Sequence, residues 1–289
     1  MKIVTDSGAD LLFPKETLEK LDVITVPLTV SLDDKSYREG IDIKTADFYD
    51  LLEASKGLPL TSTPSPGDFA EVYKKIAKTD PDILSVHISS GLSGTYNAAI
   101  QGADLVPEAN VTHFDAKTLS AAVGWMIEAA SRAIKAGWSK DKVVALMQKV
   151  SDASNSVYTL KELKYLINGG RISHMKGLLA NLLNIKPVIG VEKVGGTYEQ
   201  LGQERNFKRA LDGLVKQIKS QHALGSKLRV QVLHAFNPES AALLKEKIDQ
   251  LFEVEWLPIG VMSLVLGAHT GPSMVGVAYA AQSIFDELP

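Results

Sequence analysis

Ile83-Leu84-Ser85-Val86-His87-Ile88 runs directly into Ser89-Ser90-Gly91-Leu92-Ser93-Gly94-Thr95-Tyr96. The first six residues, an apolar run, read as a buried strand, and Thr95 to Ala103 carries helical spacing. Between them lies a turn of small residues. The first N–H groups of a helix lack intrahelical partners. With the positive end of the helix dipole they favour an anion, either carboxylate or phosphate. Ser93 also has a plainer reading, as the N-cap of the helix that follows.

The same strand-then-helix unit recurs through the first half. Lys2 to Thr5, Val23 to Val30, Ile83 to Ile88 and Val111 to Phe114 are strand-like. Ala46 to Ala54, Pro66 to Ala77, Thr95 to Ala103, Leu119 to Ala136 and Ser139 to Ser151 are helical. Such alternation implies βαβ units and a mainly parallel sheet covered by helices. Ligands then bind beyond the carboxyl ends of the strands, where Asp6-Ser7 and Ser89-Ser90 fall. The second half reads as a hairpin, Ile185 to Val191 and Tyr198 to Gly202 around Gly195-Gly196. Helix Asn206 to Ser220, strand Leu228 to His234, helix Glu239 to Leu251 and strand Val254 to Pro258 follow, then a Gly-rich apolar tail. The expectation is an α/β protein of two domains. Residues 1–156 form an N-terminal α/β/α layer with a mainly parallel sheet, and residues 157–289 a C-terminal two-layer α/β domain with a mixed sheet. A crevice between them is the natural ligand site.

Composition narrows the function. The 289 residues hold 31 basic and 34 acidic side chains, a net charge of −3, with no basic stripe, so nucleic acid is not an expected partner. The chain has no cysteine, which excludes disulfides and thiolate metal sites. Met1-Lys2-Ile3-Val4-Thr5-Asp6 enters strand-like sequence without a signal-peptide core, and no apolar run is of bilayer length, so a cytoplasmic chain without a transmembrane segment is expected.

Three further segments carry chemistry. In Thr61-Ser62-Thr63-Pro64-Ser65-Pro66 each proline pushes its predecessor to extended geometry. Ser65-Pro66 fits an N-cap and first helical position, which leaves Thr61 and Ser62 on an exposed loop, free to face a ligand. In Asn168-Gly169-Gly170-Arg171 the glycines suit a left-handed helix end. Arg171 either complements that end or recognises carboxylate or phosphate. The apolar stretches Leu179 to Leu183 and Ile185 to Ile189 read as core. Gly267-Ala268-His269-Thr270-Gly271-Pro272 sets a histidine in a turn, where its imidazole can donate to a carboxylate or orient a serine. The six histidines show no zinc-binding spacing, and no phosphate-loop or dinucleotide fingerprint occurs. A metal is not expected. Gly91-Leu92-Ser93-Gly94-Thr95 misplaces the second glycine of a nucleophile elbow, so an esterase using Ser93 and His269 is the weaker alternative.

In order along the chain, these segments resemble the DegV family. The matching pieces are Ile3-Val4-Thr5-Asp6-Ser7 with Ala9-Asp10-Leu11, Val26-Pro27-Leu28, Thr61-Ser62 with Pro64-Ser65, Ser90 to Tyr96, Gly169-Gly170-Arg171-Ile172 and His269-Thr270-Gly271-Pro272. Gly8, Thr63 and Ser273 depart from residues usual in the family. The resemblance implies a bacterial protein whose two domains enclose one long-chain fatty acid and which needs no other cofactor. It is similar to the fatty-acid-binding subunit of bacterial fatty acid kinase. Such a subunit is not itself an enzyme. It presents the carboxylate to a separate ATP-dependent kinase and carries acyl phosphate toward phospholipid synthesis, with transient membrane contact allowed. A lipid sensor without a kinase partner is the other alternative. By motif, Thr61, Ser62, Ser93, Gly94 and His269 are implied to bind the carboxylate. Arg171 and Arg205 are implied to face the phosphate or the partner.

Overall fold

The computed structural model describes residues 1–175 and 185–289. In chain order the first half forms β1 (Lys2–Asp6), β2 (Val23–Val26), β3 (Thr29–Leu32), β4 (Lys35–Arg38), β5 (Leu60–Ser62), β6 (Asp82–His87) and β7 (Asn110–Asp115). Four of these make an all-parallel sheet in the order β2-β1-β6-β7. The other three make a small antiparallel sheet, β4-β3-β5. The single strand expected from Val23 to Val30 is therefore two strands in different sheets. Pro27 separates them, because it has no N–H to offer a ladder. The next N–H, that of Leu28, donates to Ser7 Oγ at 3.1 Å.

Helices cover both faces of the parallel sheet. Pro66–Ala77 and Thr95–Asp104 pack Phe69, Tyr73, Ala98 and Ala99 against Val4, Val26 and Ile83. The first of these helices starts as its sequence predicts. Asp68 N–H donates to Ser65 Oγ at 3.1 Å, and Ser65 N–H donates back to Asp68 at 2.7 Å. On the other face lies Ala121–Lys135, with 12 of its 15 residues buried. A helix buried on nearly every side is one enclosed by neighbours on nearly every side. It is held between the two large sheets, and Trp125 Nε1 donates to Gln231 Oε1 at 3.0 Å.

The second half forms β8 (Asn155–Thr159), β9 (Lys186–Val191), β10 (Tyr198–Glu204), β11 (Lys227–His234), β12 (Glu253–Trp256), β13 (Gly260–Val261) and β14 (Val275–Ala281). They build a mixed sheet, β10-β9-β8-β14-β11-β12, with β13 also beside β11. Helices Phe207–Gln221 and Pro238–Asp249 cover one face with Leu211, Leu214, Ile218, Leu244 and Ile248. The expected apolar tail is not a tail. It is helix Leu264–Thr270 followed by β14, which runs between β8 and β11 in the middle of the sheet. Its small residues hid it, since Gly and Ala announce no strand. Gly276 is one reason for their size, since a Cβ there would lie 3.0 Å from Tyr158 Cβ. The apolar run expected at Leu179 to Leu183 lies outside the described residues. No helix among the described residues is long and apolar enough to cross a membrane.

Candidate functional site

Five of the seven residues singled out for the head group or its surroundings line one cavity. Thr61, Ser62, Ser93, Arg171 and His269 surround it, with Thr63 beside them. Leu28, Ile88, Leu92, Leu119, Val265 and Leu266 supply apolar walls, and Tyr198 completes the lining. The cavity measures about 40 Å³. Its residues come from both sides of residue 156. Gly94 is exposed at the start of helix Thr95–Asp104 and does not line the cavity. Arg205 is also outside it, exposed in the bend between β10 and helix Phe207–Gln221.

Each side chain is placed by a distinct local device. Thr61 and Ser62 are not on a loop, as expected, but on edge strand β5, where Thr61 pairs with Val30. Ser93 does both things its position suggested. Its Oγ accepts the Thr95 N–H at 3.3 Å and lies 2.8 Å from Thr95 Oγ1, while the residue borders the cavity. Arg171 opens a short 3-10 turn, Arg171–His174. Its Nη1 donates to Gly169 O at 2.6 Å and its Nε to Leu92 O at 3.3 Å, tying that turn to the Ser89–Ser93 loop. His269 is not in a turn. It is buried in the last turn of helix Leu264–Thr270.

The two glycines before Arg171 do different work. Gly170 has φ +75 and fits the left-handed helix end expected of it. Gly169 has an ordinary φ of −74, and a Cβ there would fall 2.0 Å from His269 Nδ1. It is a glycine because the imidazole lies against its backbone.

His269 Nε2 lies 2.9 Å from Thr61 Oγ1, and its buried Nδ1 has no partner among the described residues. An orphaned buried N–H is rarer than an unfilled lone pair, so we assign the ring proton to Nε2. Thr61 then accepts from His269, and its own O–H is free to donate into the cavity. Burial, with the Arg171 guanidinium second, pushes the His269 pKa down to about 3. The imidazole is neutral, and the positive charge at this end of the cavity belongs to Arg171.

The geometry does not build a serine nucleophile. Ser93 pairs with Thr95 and His269 with Thr61. A Ser–His–Asp chain does exist elsewhere. Ser85 Oγ lies 2.6 Å from His87 Nε2, and His87 Nδ1 lies 2.9 Å from Asp6 Oδ2. Ser85 and His87 are fully buried, which closes the hydroxyl and the imidazole to any substrate. No group of residues suited to a metal occurs among the described residues. A larger cleft, about 360 Å³, is lined by Asp6, Asp10 and Glu39 and by no described cationic side chain, a poor place for an anion. Asp6 and Ser7, expected beside a ligand, lie at that cleft instead. Leu28, Leu119 and Tyr198 were not legible as lining, because buried apolar residues carry no local mark of which void they face.

This is an α/β protein of two large sheets and one small one, with an apolar cavity headed by hydroxyls, a neutral imidazole and a guanidinium. The chain belongs to the DegV family, whose profile, described as "uncharacterised protein, DegV family", matches residues 1–282. It is 35% identical over 278 residues to a DegV domain-containing protein of Deinococcus radiodurans, covering 96% of this chain and 94% of that one. Among solved structures it is similar to a fatty-acid-binding DegV family protein from Thermus thermophilus, with TM-score 0.86, 29% identity, and 97% and 99% of the two chains covered. It is also similar to a stearic-acid-binding protein from Eubacterium ventriosum, with TM-score 0.83, 27% identity, and coverage of 97% and 98%.

Proposed function

We propose that this chain binds one long-chain fatty acid, holding the carboxylate with Thr61, Ser62 and Ser93 beside His269 and Arg171. One observation carries the reading: hydroxyl donors and a guanidinium meet apolar walls in a single cavity. A carboxylate taken from water needs charge-assisted hydrogen bonds. The free Thr61 O–H, Ser93 and Arg171 are the donors for them. Burying about 14 methylenes at ~0.8 kcal/mol each contributes roughly 11 kcal/mol before ordering costs. The solved relatives that bind fatty acids support the same reading.

The cavity as it stands holds little more than the volume of one water. An acyl chain therefore enters by parting apolar side chains. Leu119 borders a second small void of about 20 Å³ lined by Tyr158, Leu233, Met274 and Ala278. We place the tail along that direction, past Leu119 and toward the mixed sheet.

The chain itself is not the catalyst in this reading, and the fatty acid is its only small-molecule ligand. It works in the cytoplasm as the subunit that presents a carboxylate to a separate ATP-dependent kinase and carries acyl phosphate toward phospholipid synthesis. Family resemblance supports this part, together with Arg171 at the head-group end. Native mass spectrometry of the purified chain, followed by lipid analysis of what denaturation releases, tests the binding. One stoichiometric fatty acid is expected, and a chain that is empty and fails to take up oleate or palmitate overturns it. Acyl phosphate formation with a competent kinase tests presentation, and Ser93→Ala and Arg171→Ala are expected to reduce it.

A further inference from the structure

The helix that delivers His269 is short and wholly buried. All seven residues, Leu264–Thr270, are buried, so the first N–H groups have no water to turn to. The local N-cap does not help them. Ser263 makes no side-chain cap, and its Oγ is buried without a partner among the described residues. Two distant carboxyls take its place. Ser263 N–H donates to Asp10 Oδ1 at 2.8 Å, and Leu264 N–H donates to Glu39 Oε1. The Asp10 carboxyl is itself anchored, since its Oδ2 accepts from Ser120 Oγ at 2.5 Å. Glu39, just after β4, is held through its backbone, its N–H donating to Leu28 O at 3.0 Å, while its Oε2 has no partner among the described residues.

At the helix's other end His269 meets Thr61 of β5. Glu39 follows β4 and Thr61 lies in β5, and both strands flank β3. The small antiparallel sheet thus grips both ends of one helix, whose start and His269 are only ~7.5 Å apart along the axis. We propose that Asp10 and Glu39 are positioning residues that fix the start of this helix and so set His269 against Thr61 at the head-group end. The consequence for ligand affinity rests on the fatty-acid reading, but the consequence for His269 does not.

The groups facing the two carboxyls fit this role. Asp10 faces Ser120, Glu39, Ser263 and Asp6, Glu39 faces Ser7, Leu264, Val265 and Asp6, and the phenol of Tyr49 lies near both. No cation is among them. Burial, reinforced by these like charges, pushes Asp10 up to about 8 and Glu39 to about 7. A carboxyl that keeps its proton acts as a hydrogen-bonding bracket rather than as half of an ion pair, and an amide can replace it.

The test compares Glu39→Ala with Glu39→Gln, reading the His269 ring-nitrogen resonances by NMR and oleate affinity by titration. Glu39→Ala is expected to shift the His269 resonances and weaken oleate about tenfold, the loss of one such bond. Glu39→Gln is expected to restore both. Unchanged resonances in a folded Glu39→Ala protein overturn the proposal, as does a Gln variant as impaired as the Ala variant. If Glu39→Ala does not fold, the wild type is titrated from pH 6 to 9. A His269 shift that follows the ionisation of the two carboxyls supports the bracket, and a flat response overturns it. A wild type that takes up no oleate while His269 responds to Glu39 overturns the fatty-acid reading alone.

Discussion

Two hollows border the helix Leu264–Thr270, and they differ in whether a cation lines them more than in construction. One is the apolar cavity bordered by Val265, Leu266 and His269, and the other is the cleft bordered by Asp10, Glu39 and Ser263. Burial drives the titratable groups of both toward neutrality, with His269 lowered to about 3 and Asp10 raised to about 8. What separates them is the neighbour. Arg171 stands beside His269, while Asp6 and Glu39 stand beside Asp10. Size alone would have chosen the wrong hollow for an anion, since the cleft with acidic side chains and no cation in its lining is the larger. Complementary charge decides the matter, because an uncompensated anion in a partly buried site is costly.

The strongest way to break the comparison is to fill the apolar hollow and leave the cleft untouched. Leu119 borders both the head-group cavity and the small void beyond it. Leu119→Trp is expected to abolish uptake of oleate while a short chain such as octanoate still binds. Retention of oleate at wild-type affinity in the folded variant would show that the tail runs elsewhere. The direct readout is native mass spectrometry after incubation with each acid.

The next effect is expected at Gly169. A Cβ there would sit 2.0 Å from His269 Nδ1, so Gly169→Ala must push the imidazole off Thr61. Overpacking of this kind costs about 1–3 kcal/mol. Both the melting temperature and oleate affinity should fall. A variant that melts lower but binds normally would place His269 outside head-group recognition.

The pH dependence of stability separates the two ends of the helix with opposite signs. Asp10 binds its proton more tightly folded, at about 8, than unfolded, at 3.8. Its contribution is complete below pH 3.8 and is lost as pH rises through 8. His269 binds its proton less tightly folded, at about 3, than unfolded, at 6.5. Its contribution is complete above pH 6.5 and is lost as pH falls through 3. Asp10→Asn should therefore flatten the alkaline side of a denaturation-midpoint profile, and His269→Gln the acid side. A change on the same side in both variants would contradict the assigned shifts.

Periodicity made the parallel sheet legible, because β-branched runs between helices of spaced apolar residues leave few other folds. It also gave the mixed sheet its hairpin. It failed where residues are small or where proline intervenes. Val275–Ala281 alternates Val, Val and Tyr with Gly and Ala, a pattern masked by its small residues, yet it is central, and Gly276 leaves room for Tyr158. Val23 to Val30 carries a continuous signature but is cut by Pro27. Thr61, Ser93, Arg171 and His269 were found as polar residues in odd settings, and they converge on one cavity. Gly94 and Arg205, named with them, do not line it. The walls were invisible because contact between distant apolar residues has no local sequence mark. Asp10 and Glu39 were missed as helix brackets for the same reason, each being more than 220 residues from the N–H it accepts.

The smallest predicted effect concerns Gly170, and it isolates what Gly169 does. The two are adjacent, and a sequence reading treats them alike. Gly170 has φ +75 and open space around its missing Cβ, whereas Gly169 has an unstrained backbone and no space at all. Gly170→Ala should cost about 1 kcal/mol through backbone strain and leave the His269 resonances and oleate affinity where they were. Calorimetry and titration on the pair of variants check this directly. If Gly170→Ala weakens oleate as much as Gly169→Ala, the Arg171 turn rather than the imidazole is the sensitive part. The guanidinium, held by Gly169 O and Leu92 O, would then carry more of the head-group recognition than the Thr61–His269 pair.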